Sequence, residues 1–138
     1  MDWREIAALA ADPLVTIGAH TVNHPMLAKL PENTVRSEMD LSRSVIEATL
    51  GTRPAHLSYP FGDPTSTGER EFEIARKLGF KTAVTTRPSV IFRGHRAHLT
   101  ALPRISLNGE YQQLRYVRVL LSGSATAMWN GFRRAEAA

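Results

Sequence analysis

One stretch constrains this 138-residue chain more than any other: Val15-Thr16-Ile17-Gly18-Ala19-His20-Thr21-Val22-Asn23-His24-Pro25. Its β-branched start predicts a buried strand, which runs through small residues into two histidines four apart. In a helical turn or helix-like loop, positions i and i+4 face the same way, so both imidazoles can reach one ion. Placement adds to spacing. Open and barrelled parallel sheets carry their sites beyond the carboxyl ends of the strands, where this arrangement puts the two rings. An ordinary polar loop stopped by Pro25 is the alternative reading of the same residues.

Composition limits what could occupy such a site. The chain has no cysteine, so disulfides and thiolate zinc sites are excluded and a transition metal must be held by His and carboxylate. At 43% hydrophobic and 22% charged it has the balance of a soluble globular domain, long enough to bury a core. The formal charge is +4, with arginine dominating the seventeen basic residues. No aromatic-interleaved basic stripe accompanies them, so nucleic acid is not an expected partner. No apolar run reaches the ~18–20 residues of a membrane span, and no signal-peptide pattern opens the chain, which leaves localisation unknown and cytoplasmic by default.

The elements can be read in order. Asp2 caps a helix with Trp3, Ile6, Leu9 and Ala10 on one face, and Asp12-Pro13 turns it into a strand over Leu14–Ile17. Pro31-Glu32-Asn33 starts a second helix, whose Val35, Met39, Ser42, Val45 or Ile46, and Leu50 face inward. Arg36, Glu38, Asp40, Arg43 and Glu47 form its solvated face, and Gly51 stops it. A short strand then enters the turn Tyr59-Pro60-Phe61-Gly62-Asp63, where Gly62 permits outward-pointing backbone N–H groups. Thr67 caps a helix over 68–78, and Lys81–Thr85 is a strand. Residues 86–100 read as a polar loop of lid length, and Leu102–Leu107 as the last strand. Tyr111–Leu121 is a helix, and 124–138 is a tail with Trp129 and Phe132 as docking residues.

Taken together, Gly18-Ala19-His20-Thr21-Val22-Asn23-His24-Pro25-Met26-Leu27 and, thirty residues on, Leu57-Ser58-Tyr59-Pro60-Phe61-Gly62 resemble the polysaccharide deacetylase family. That family is also called the NodB homology domain, or carbohydrate esterase family 4. The similarity runs from about Trp3 to Gly109, through a helix bearing Glu38 and Gly51 and the Leu78-Gly79-Phe80 helix end. The paired motifs, in this order and spacing, are specific where neither is alone.

The resemblance implies a metal-dependent hydrolase of non-peptide carbon–nitrogen bonds. Its substrate would be an N-acetylated amino-sugar polymer or oligomer, and its fold an incomplete (β/α) barrel. The ion, most commonly zinc with cobalt or nickel as alternatives, is held in the family by Asp-His-His. By the same resemblance His20 and His24 are the imidazole ligands, and Thr21 orients their loop. The backbone N–H of Phe61 helps bind the oxyanion, Tyr59 and Pro60 wall the sugar groove, and Arg104 of the Leu102-Pro103-Arg104-Ile105 segment points to the site.

Departures from the family pattern shape the remaining expectations. The Asp-Asp motif that supplies base and third ligand lies upstream of the histidines in the family, and only one helix precedes them here. Asp12 is a poor substitute, roughly 17 Å or more away at the other end of its strand. Ser58 stands where an arginine often begins the family's third motif, and no late Leu-x-His motif follows. The expected fold is therefore α/β: a partial, distorted (β/α) barrel of the deacetylase type, truncated at its N-terminus, over residues 1–123. Two functions stay open: an impaired deacetylase, with Asp63 as a possible replacement acid, or a non-catalytic sugar- or metal-binding remnant. An uncovered barrel flank also predicts self-association.

Overall fold

The computed structural model of the chain describes residues 1–132. Its centre is a parallel sheet of three strands in the order β1 (His56–Ser58), β2 (Thr82–Pro88), β3 (Leu102–Arg104). Ala19 adds one further parallel rung outside β1, donating to His56 O at 2.8 Å and accepting from Ser58 N at 3.0 Å. Each segment lies beside the one before it in the chain. Helix α2 (Glu32–Leu50) joins Ala19 to β1, and α3 (Glu69–Lys77) joins β1 to β2. This sequential parallel order with helical crossovers is the arrangement expected of a piece of (β/α) barrel.

Pleating decides what the sheet buries. Register aligns Ala19, Leu57 and Ala83 in one row, and all three are buried under α2 and α3. Val35 and Met39 of α2, Phe72, Ile74 and Ala75 of α3, and Phe80 complete that core, with Ile46 rather than Val45 turned toward it. The alternate row of Ser58, Val84 and Leu102 lies on the other face and is only half-buried. One face of the sheet is a core and the other is open.

Several elements depart from the sequence reading. Asp2 caps α1 (Trp3–Ala10) as expected, its carboxylate taking the Arg4 and Glu5 N–H groups while Glu5 returns the bond. Yet α1 buries no residue. The expected strand Leu14–Ile17 does not form, and Leu14 is 92% exposed. The reason is pairing: among the described residues nothing lies beyond this edge, and only Ala19 engages β1. Gly68, not Thr67, caps α3, with the Glu71 carboxylate accepting its N–H at 2.8 Å. Strand β2 runs three residues past Thr85, and β3 stops at Arg104. The polar loop before β3 holds a 3-10 turn at Arg93–Ala97. Helix α4 (Leu114–Leu121) starts later than expected, and part of the expected tail is helix α5 (Ser124–Trp129). Trp129 and Phe132 do not dock, Trp129 being 81% exposed; residues 133–138 of that tail lie outside the described residues.

The solvated face assigned to α2 is also corrected. Arg43 is 7% exposed, donates to Pro54 O at 2.7 Å, Leu78 O at 2.6 Å and Gly79 O at 3.4 Å, and lies 4.4 Å from the Phe80 ring centroid. The end of a helix leaves carbonyls without intrahelical donors, and Arg43 supplies donors to the end of α3 from a neighbouring helix. Glu38 is buried too, toward the histidine loop.

Candidate functional site

Strand pairing builds the site. The Ala19–Leu57 rung brings His20 beside Ser58 at the carboxyl end of β1. His20 Nδ1 lies 2.7 Å from the Ser58 carbonyl oxygen. His24 returns to the same place through a tight loop: its ring centroid lies 4.9 Å from that of His20, with the planes at 69°. On its other side the Phe61 ring stands 5.0 Å away, also edge-on. The two motifs read from the sequence thus meet at one point, and both imidazoles are solvent-exposed.

The backbone around this point is unusual. Thr21 (φ 63°), His24 (φ 53°) and Phe61 (φ 60°) hold left-handed conformations that L side chains seldom adopt. Phe61 is the middle residue of a three-residue turn closed by Gly62 N–H to Pro60 O at 2.7 Å. Gly62 then passes so close to β2 that a Cβ there would sit 2.6 Å from Thr86 N. Strained conformations of this kind cost about 1–3 kcal/mol each and persist where surrounding structure fixes them.

Glu38 provides much of that fixing. One carboxylate oxygen accepts the Val22 and Asn23 N–H groups at 2.9 Å each, and the other accepts the Asn23 side-chain amide at 2.6 Å. Burial alone pushes its pKa up, but the hydrogen bonds from Asn23 and Val22 outweigh it and hold the carboxyl below its ordinary value. Sequence periodicity placed Glu38 on the outer side of α2. A polar residue fourteen positions after His24 carries no local sign that a loop will fold back onto it.

The sequence and the fold have counterparts in known proteins. The sequence profile described as polysaccharide deacetylase matches residues 1–83. The chain belongs to the polysaccharide deacetylase family. A search of curated protein sequences gave no significant match. Among solved structures, it is similar to the Streptococcus pyogenes deacetylase PplD in complex with acetate, at 21% identity and a TM-score of 0.76 over 87% of this chain and 50% of that one. It is also similar to a polysaccharide deacetylase from Bacillus cereus, at 19% identity and a TM-score of 0.75 over 88% of this chain and 36% of that one. A de-N-acetylase from Aggregatibacter actinomycetemcomitans aligns at 15% identity and a TM-score of 0.69, over 88% of this chain and 53% of that one. At these identities the shared property is the fold. The chain spans about half or less of the length of these deacetylases.

The other residues marked by the deacetylase resemblance are placed less uniformly. Phe61 is 48% exposed beside the histidines. Tyr59 is not at the surface: it is 1% exposed, packs on Phe72 with ring centroids 5.5 Å apart, and donates to Thr100 O at 2.7 Å. Burial and the Glu71 charge push its phenol far up, so it stays neutral. Pro60 is buried as well. Tyr59 belongs to the core under the turn, because the pleat that leaves Ser58 on the open face turns Tyr59 inward, and Pro60 is covered beside it. Arg104 ends β3, two strands from β1, and is exposed. Asp12 accepts the Leu14 N–H at 2.8 Å in a local turn. Thr21 has a buried hydroxyl without a partner among the described residues.

The chemistry of the donors bears on the ion the family implies. A carbonyl oxygen only accepts, so Nδ1 of His20 is the donor in this contact and Nε2 is the ring nitrogen left to face an ion. An imidazole held this way by a carbonyl is the usual form of a zinc-binding histidine. The His20–His24 pair therefore fits two positions of a divalent ion. Among the described residues no third His, Asp or Glu joins them.

Proposed function

We propose that this chain carries the histidine-pair part of a metal-dependent polysaccharide deacetylase, one that removes N-acetyl groups from amino-sugar polymers or oligomers. The observation that carries this reading is the convergence of His20, His24 and the Phe61 turn at the carboxyl end of β1. His20 Nε2 and His24 would hold the ion, zinc being the best match to two imidazoles and cobalt or nickel the alternatives. When bound, a divalent ion there supplies Lewis acidity toward an acetyl carbonyl and a bound water. The chain's own residues do the rest. The Phe61 N–H, set by its left-handed turn, would donate to the developing oxyanion, and the exposed Phe61 ring would face the sugar. Arg104 would contribute from the end of β3. The acetate in the S. pyogenes deacetylase is the fragment such a hydrolysis releases.

A second reading is favoured by the donor count. Two protein ligands among the described residues, where hydrolytic zinc sites use three, suit a binding remnant more than a full catalyst. General base catalysis contributes roughly 10²–10⁴-fold; among the described residues no carboxylate joins the two histidines as a ligating group, and that of Glu38 is taken up by Val22 and Asn23. One experiment separates the readings: acetate release from acetylated chitooligosaccharides with added zinc or cobalt, comparing the chain with His20→Ala. Negligible turnover with His20-dependent metal binding is the expected result. Robust turnover abolished by His20→Ala would establish an active deacetylase in which another acid, Asp63 being nearest along the turn, acts as base. Absence of any His20-dependent metal binding would remove the proposal.

A further inference from the structure

We infer that Glu38 is the positioning residue of the histidine pair: its carboxylate fills a backbone anion nest between His20 and His24 and so sets the spacing of the two rings. The inference rests on the metal-site reading above, and its test separates the two.

Two consecutive amides, Val22 and Asn23, converge on a single oxygen of Glu38. Successive N–H groups turned to one side form a concave anion binder, and here the anion is part of the chain. The residues flanking the nest, Thr21 and His24, are the two left-handed positions of the loop. Each is unfavourable by itself, so the loop keeps this path only while something pays for it. On the His20 side the anchor is the β1 rung and the Ser58 carbonyl. Beyond Pro25 it is buried Leu27 and the Ala28 N–H bonded to Ser66 O at 2.9 Å. Between these anchors, Glu38 alone among the described residues takes hydrogen bonds from residues 21–25.

Rigidity comes from the helix that carries the carboxylate. Val35, Met39 and Ser42 on the same side of α2 are buried, so Glu38 extends from a packed element rather than a loop. Three donors to an ionised acceptor are charge-assisted and stronger than neutral hydrogen bonds. His20 is oriented by β1, and His24 by α2 through Glu38. The angle between the rings is thus fixed by two different elements that meet in one core.

Zinc titration at constant pH, with a parallel reading of the metal-free protein, provides the test. Glu38→Ala and Glu38→Asp both leave the nest unfilled, the second by one methylene, and should weaken zinc binding by about 10–100-fold. Glu38→Gln can still accept both backbone N–H groups, with Asn23 reversing its amide, and should stay within a few-fold of the parent. Val35→Ala, a truncation on the same buried side of α2, should lower the melting temperature without changing the zinc affinity of the folded protein. In the metal-free state, the His20–His24 ring contacts seen by nuclear Overhauser effects, and slow exchange of the Val22 and Asn23 amides, should be lost in Glu38→Asp and kept in Glu38→Gln. Unchanged ring contacts and amide exchange in folded Glu38→Asp would overturn the inference whether or not zinc binds. Parent protein with the ring contacts but no His20-dependent zinc binding would instead overturn the metal-site reading and leave the positioning role standing.

Discussion

The Nδ1 of His20 and the carbonyl oxygen of Ser58 are 2.7 Å apart, in a contact between the end of the first sheet segment and the end of β1. Because that carbonyl engages Nδ1, Nε2 is the nitrogen left to ligate an ion. Replacing either His20 or His24 by alanine should therefore abolish zinc binding in calorimetry. Both side chains are exposed, so unfolding free energy should change by no more than about 0.5 kcal/mol. Zinc binding that survives both substitutions would place the ion elsewhere.

Gly62→Ala tests the turn. The residue has φ +71°, and the new methyl would sit 2.6 Å from Thr86 N, a backbone atom of β2 that cannot swing aside. A loss of about 1–3 kcal/mol in urea unfolding is expected, with a shift in the Phe61 and His24 ring resonances. A neutral substitution would mean that the turn relaxes more freely than its packing indicates.

Arg43 and Arg53 make a controlled pair. Arg43→Met keeps the apolar stem but leaves the Pro54, Leu78 and Gly79 carbonyls without their donor, and should cost about 2–4 kcal/mol. Arg53→Met removes exposed, solvent-screened ion pairs to Asp40 and Glu47 and should cost much less than Arg43→Met. Equal effects in chemical denaturation would contradict the assignment of Arg43 to the core.

Asp63 gives the fold an acid-sensitive component. The nearby Ser66 hydroxyl, with hydrogen bonds from the Thr65 hydroxyl at 2.6 Å and the Thr65 N–H at 2.8 Å, holds its carboxyl at about 2, against an ordinary 3.8. A carboxyl depressed in the folded state stabilises fully above its unfolded pKa and loses that contribution as pH falls through the folded value. The stability difference between the parent and Asp63→Asn should be constant above about pH 5 and shrink as pH drops from about 4 to 2. A difference independent of pH over that window would rule the carboxylate out.

Self-association should be visible in sedimentation. Leu114, Leu121, Met128 and Trp129 leave α4 and α5 with exposed apolar side chains, and Leu14 lies uncovered beside the free sheet edge. Exposed apolar side chains drive association in water where they act together. The apparent mass is expected to rise with concentration, and to rise less in Leu121→Arg and Trp129→Arg. A concentration-independent monomer would show that these side chains are too scattered to act together.

How much of this was legible beforehand depended on whether the signal was local. The cap at Asp2, the stop at Gly51, the helix starting at Pro31-Glu32-Asn33 and the helix expected over 68–78 follow from short-range chemistry and periodicity, and the structure has them, the last over Glu69–Lys77. The His20–His24 pair was visible because both residues belong to one loop and one motif. Glu38 and Arg43 were not. Their burial depends on what folds over α2 from other parts of the chain, and a charged residue at an outer helical position looks the same with or without a distant partner. Tyr59 failed for the opposite reason. It is part of a motif, but the two-residue pleat of β1 decides which side it faces, and Ser58 holds the outward position. The segment Leu14–Ile17 has strand propensity without a second neighbour, and propensity alone does not make a ladder.

Thr21, His24 and Phe61 hold backbone angles that glycine would adopt at no steric cost. A chain selected for stability alone would gain by placing glycine at Thr21 or Phe61, on the order of 1 kcal/mol for each. That gain would come with a looser loop, a free ring position and a wider range of distances between the imidazoles. The three residues thus describe a trade: conformational energy is kept in the loops that carry the histidines and the aromatic turn, in exchange for a narrower range of ring positions.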